Sequence, residues 1–92
     1  MFAIAFDLDV NATLAAHPRG VSQAYTDIAT SLGRFDFRRI QGSVYVTDKE
    51  DLVNLFSAVN SLKNLSWFPA SVRDIRAFKI ELWSDFTNFV KG

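Results

Sequence analysis

Residues 2–9 constrain the chain more than any other stretch, because Phe2, Ile4, Phe6 and Leu8 alternate with Ala3, Ala5, Asp7 and Asp9. A period of two belongs to a β-strand, and this strand has unlike faces, one bulky and apolar, the other small and then acidic. The bulky face needs a cover of other elements; the second is left for solvent, a partner or a ligand. The run is too short for a membrane span and lacks the positive flank of a signal peptide.

Further along, residues 11–20 have weak periodicity and end in turn residues, so they read as a loop. Val21, Tyr25, Ile28 and Leu32 line one face of a first helix, with Gly33 placed to end it. Phe35–Ile40 and Ser43–Thr47 flank Gln41-Gly42 and read as a hairpin. Thr47 and Glu50 have capping-box spacing, which predicts a second helix from Asp48 to about Lys63, its core stripe running from Leu52 through Leu55, Phe56 and Val59 to Leu62. Residues 65–69 read as a connection, Val72–Leu82 as a last strand, and Ser84 as the cap of a short helix carrying Phe86, Phe89 and Val90.

This order predicts one α+β domain over residues 1–92: a ferredoxin-like βαββαβ fold, with a four-stranded antiparallel sheet, two helices on one face and a short C-terminal helix. Phe2, Ile4, Phe6 and Leu8 would meet the helices. Alternation assigns Val44 and Val46 to the core, leaving Ser43 and Tyr45 on the open face with Ala3, Ala5, Asp7 and Asp9.

Composition narrows the chemistry. The chain has no cysteine, so thiolate catalysis, iron–sulfur clusters and Cys-type zinc sites are excluded, and with His17 as its one histidine no two-imidazole mechanism fits within a subunit. Lack of cysteine accords with a reducing compartment and a cytoplasmic location. Ten basic residues balance ten acidic ones, so there is no basic arm; nonetheless Arg34, Arg38 and Arg39 face only Asp36 locally, and Arg73, Arg76 and Lys79 face only Asp74. These two segments can contact phosphates, or can be edge-strand cations paired with nearby acids. His17, beside Pro18 in a loop, reads as structural or solvent-exposed and not as catalytic. The aromatic residues, among them Trp67, Phe68, Trp83, Phe86 and Phe89, exceed what one small core must bury, so some are expected to cover the edge of the sheet or to join an interface with a second copy of the chain.

Asp7 and Asp9, two residues apart on one strand face, are candidates for a Mg²⁺ site or a general base, or are simply solvated strand-end acids. The pair resembles the D-x-D-x-T-L opening of haloacid dehalogenase phosphatases. Asn11 replaces the Thr of that motif, Thr13-Leu14 comes too late, and 92 residues are too few for the doubly wound fold.

A second resemblance spans nearly the whole chain. The blocks Phe2–Val10, His17–Tyr25, Arg39–Tyr45, Trp67–Phe78 and Trp83–Thr87 are similar, in order, to the virulence-associated protein D (VapD) family. The resemblance implies a homodimeric ferredoxin-like endoribonuclease, related in fold to small CRISPR adaptation nucleases and often the toxin partner of a small antitoxin protein. The family's functional positions fall on Asp7, Ser43 and Asp74; its members vary at Asp9. On that basis Asp7 would serve as base or metal ligand, Ser43 would orient the scissile phosphate or water, and Asp74 would position a partner or cation. Arg38, Arg39, Gln41, Arg73 and Arg76 are the candidate RNA contacts. A dimer packed through the open face would bring two Asp7 residues to a shared groove. The rival reading is a non-catalytic dimer that binds RNA or a protein through that face.

Overall fold

A computed structural model describes all 92 residues. Strand β1 (Phe2–Leu8) is followed by helices α1 (Val10–Ala16) and α2 (Val21–Gly33), then the hairpin β2 (Arg38–Gln41) and β3 (Val44–Thr47). Helices α3 (Leu52–Lys63) and α4 (Phe68–Ser71), strand β4 (Val72–Lys79) and helix α5 (Thr87–Lys91) complete the chain. The strands form one antiparallel sheet in the order β2-β3-β1-β4, the ferredoxin-like topology that the sequence predicts.

The core lies between the sheet and the two long helices. Ile4, Phe6 and Leu8 of β1 pack with Ala24, Ile28 and Leu32 of α2 and with Leu55, Ala58 and Leu62 of α3. Ile4, Ile28, Leu32 and Leu62 are fully buried, each worth about 1.5–3 kcal/mol relative to exposure. Phe6 stacks on Tyr45 at 6.2 Å between centroids and approaches Tyr25 at 6.4 Å. Trp67 and Phe68 close the end of this layer.

Several boundaries and faces differ from expectation for identifiable reasons. Residues 10–16 form a helix, not a loop: Asp9 caps it by accepting from the Ala12 N–H at 2.8 Å, and the Thr13 hydroxyl donates to the Asp9 carbonyl. Gly33 stays helical, and the left-handed residue after α2 is Asp36, with φ of 61°. The hairpin turn is Gly42-Ser43, one residue later than expected.

The second long helix starts later as well. Thr47 accepts only from the Lys49 N–H, while Asp51 takes the cap by accepting from Val53 and Asn54, because Glu50 is engaged with the Met1 ammonium and Lys79. The α3 core stripe is accordingly Leu55, Ala58 and Leu62; Leu52 and Phe56 are exposed. Residues 68–71 form a short helix because Pro69 sits in its first turn, where a missing N–H is harmless. The last strand ends at Lys79, and α5 begins after Asp85, which accepts from the Thr87 N–H in place of a Ser84 cap.

The largest revision concerns β3. Tyr45 pairs with Ile4 and is buried in the core, whereas Val44 and Val46 pair with Ala5 and Ala3. Directly opposed residues share a face, so the valines belong to the open face and Tyr45 to the helix face, the reverse of the expected parity.

Candidate active site

The end of β1 carries the acidic residues. Asp7 lies opposite Asp74 in the β1–β4 ladder, next to a register shift between Asp7 and Leu8. Directly opposed carboxylates repel, so the cluster needs compensating cations. They come from the same strand: Arg76 Nε donates to both Asp74 oxygens at 3.1 and 3.2 Å, and Arg73 grips Asp9 through Nη2 at 2.9 Å and Nε at 3.2 Å. Asp7 itself has no hydrogen-bond or ion-pair partner and is exposed. It is the one uncommitted carboxylate of the cluster.

Asp9 is occupied differently. The Ala12 N–H, and next the Arg73 guanidinium, hold its carboxyl below the usual carboxylate range; Asp9, and then Asp7, raise Arg73 in turn. Its carboxylate is engaged by the N-terminus of α1 on one oxygen and by Arg73 on the other. No group of three His, Asp or Glu side chains in the chain is arranged to hold a metal ion.

Ser43 stands in the same row of the sheet but not on the same side. Its carbonyl accepts from the Phe6 N–H at 3.1 Å, placing it beside β1 one residue before Asp7. As the residue opposite Phe6, it faces the helix side and lines a groove of about 570 Å³ between α2 and the hairpin with Ser22, Tyr25, Arg39 and Tyr45. The structure thus brings Asp7 and Asp74 together on the open face and separates Ser43 from them by the thickness of the sheet. Alternation in sequence missed Tyr25 and Tyr45 as groove residues; the register that pairs Tyr45 with Ile4 is the signal that finds them.

The candidate RNA contacts divide in the same way. Arg38, opposite Val46, and Gln41, opposite Val44, belong to the open-face side of the hairpin; Arg39, opposite Tyr45, belongs to the groove. Arg38, Arg73 and Arg76 are each paired with an aspartate, and Arg39 with none. His17 is buried and structural: its Nε2 bonds Asp27 at 2.7 Å, its Nδ1 accepts from the Arg19 N–H, and its ring meets Trp67 edge-on. That bond, followed by one from Gln23, lowers the Asp27 carboxyl.

The antiparallel sheet in the order β2-β3-β1-β4, with a carboxylate–guanidinium cluster at the end of β1, defines a ferredoxin-like α+β domain. No family model matches the chain. Its relatives are nevertheless clear: it is 63% identical over 92 residues to the endoribonuclease VapD homolog of Neisseria gonorrhoeae and 58% identical to the endoribonuclease VapD of Haemophilus influenzae, covering 100% of both chains in each case. It is also 44% identical over 94 residues to the endoribonuclease VapD of Helicobacter pylori, again covering 100% of each. The chain belongs to the VapD family.

Proposed function

We propose that the chain is an endoribonuclease that cleaves RNA with Asp7 as its general base. The observation that carries this reading is the free Asp7 carboxylate, set among Arg73, Asp74 and Arg76 on an open sheet face, in a chain whose full-length relatives bear the name endoribonuclease. A base must be unencumbered when substrate arrives, and Asp7 is the acid here that neither caps a helix nor pairs with a cation. Asp74 holds Arg76 where it can meet phosphate, and Ser43 approaches the substrate from the groove side. The exposed ion pairs of Arg73 and Arg76 are weak, so phosphates can take over these guanidiniums.

The active form in this reading is a homodimer. Leu82, Phe86, Phe89 and Val90 are exposed on the arm that follows β4, and Phe78 on the open face, which is apolar surface that a monomer leaves in water. Packing through the open face would set two Asp7 residues about one groove. In a cell the protein would act on cytoplasmic RNA as a toxin countered by a small antitoxin protein. No helix is long and apolar enough to cross a membrane.

The test is cleavage of a defined RNA by purified protein, with oligomeric state measured by sedimentation. Asp7→Asn should keep the dimer and lose cleavage; wild-type rates in that variant would sink the assignment. Titrating EDTA separates Asp7 as a base from Asp7 as a Mg²⁺ ligand, since an unchanged rate leaves the base. RNA that is bound but never cut would favour the non-catalytic alternative.

A further inference from the structure

We propose that the groove between α2 and the β2–β3 hairpin is a second phosphate subsite, in which Arg39 and the hydroxyls of Tyr45, Tyr25 and Ser43 hold a phosphate of the RNA next to the one being cleaved. This rests on the RNA-cleaving reading above but places part of the substrate on the opposite side of the sheet from Asp7.

Three observations converge. Arg39 is the sole charged residue lining the groove, no acid lines it, and no acid pairs with Arg39 elsewhere, in contrast to Arg38, Arg73 and Arg76. A free guanidinium in a concave surface without carboxylates selects for an anion. Second, Tyr45 is only 3% exposed, yet it lines the groove and its hydroxyl has no hydrogen-bond partner in the chain. The ring is buried but the hydroxyl is not sealed off from solvent, so it is free to donate to a ligand atom or water in the groove. Arg39 pairs directly with Tyr45 across the β2–β3 ladder; burial raises the phenol, and the Arg39 charge opposes the rise. Third, the remaining polar side chains of the lining are all hydroxylic; the Thr26 hydroxyl already donates to the Ser22 carbonyl, which leaves those of Ser22, Tyr25 and Ser43 as donors for a group with several acceptor oxygens.

The location suits a neighbouring phosphate. Ser43 lies beside Phe6 through a backbone hydrogen bond and Asp7 is the next residue, so a strand of RNA passing over this end of the sheet meets both positions in succession. Phe6, stacked with Tyr45 and near Tyr25, packs against both of the rings that line the groove.

Two variants test the subsite. Tyr45→Phe removes an oxygen without protein partners and should leave the melting temperature unchanged; Arg39→Gln removes the charge. Both should raise KM for RNA about tenfold, the loss of one hydrogen bond to a charged group, while kcat stays within about twofold. An unchanged KM, or a fall in kcat alone, would overturn the proposal. Independently of cleavage, inorganic phosphate titrated into ¹⁵N-labelled protein should shift the Gly42, Ser43 and Tyr45 amides saturably, and Arg39→Gln should abolish the effect. Shifts spread over Arg38, Arg73 and Arg76 instead would overturn it. A wild-type protein that binds phosphate in the groove and cuts no RNA would remove the nuclease reading and keep the anion site.

Discussion

The two faces of β1 are built from alternate residues of one strand and do opposite work. Ile4, Phe6 and Leu8 disappear beneath α2 and α3, whereas Asp7 stands exposed and unpaired, opposite another aspartate. The helix face is over-determined, each side chain fixed by many neighbours; the open face retains a repulsive carboxylate pair and relies on surface guanidiniums to offset it. The contrast teaches that stability and chemistry in this small sheet are separated by the pleat and not by distance along the chain, since Phe6 and Asp7 are adjacent.

Substitutions on the two faces should therefore fail in different ways. Ile4→Ala empties a fully buried site and should lower the unfolding free energy by about 2–5 kcal/mol in denaturant titrations. Asp7→Asn should reduce RNA cleavage by at least about 100-fold with no loss of melting temperature, because removing one of two opposed negative charges relieves repulsion. A destabilised Asp7→Asn protein would break the division between faces.

Asp9 lies at the boundary and should behave as a structural residue: Asp9→Ala removes the α1 cap and should lower the melting temperature by about 4–8 °C while leaving kcat largely intact. Its depressed carboxyl, like that of Asp27, contributes stability that is present above the unfolded-state value near about pH 3.9 and is lost as pH falls through the lower folded-state value. The melting temperature should thus stay nearly flat from pH 7 to about 5 and decline below about pH 4. The smallest effect should come from Arg38→Gln, where loss of an exposed ion pair with Asp48 should change the melting temperature by less than about 3 °C.

The order of elements was legible because strong periodicities mark β1, α2 and α3, and a glycine marks the hairpin. What the sequence concealed has physical causes. Helix α1 has no apolar stripe, and its existence depends on the Asp9 cap and on packing against α4. The parity of β3 was hidden because both faces of this sheet are apolar at its centre: Val44 and Val46 look like core, and only pairing with β1 sends Tyr45 inward. Since that parity decides which side Ser43 occupies, one reversed strand was enough to place it with Asp7 when it belongs to the groove. The Asp7–Asp74 pairing depends on a register between distant segments, which local pattern cannot supply.

The two tryptophans divide the molecule optically. Trp67 is buried against His17 and Phe68, so its emission should be blue-shifted and should change only when the body unfolds. Trp83, on the exposed arm, should emit toward the red and respond to whatever the arm contacts. Replacing either with Phe would give a single-indole protein, and comparing the two emission signals against concentration and denaturant would time assembly and folding as separate events.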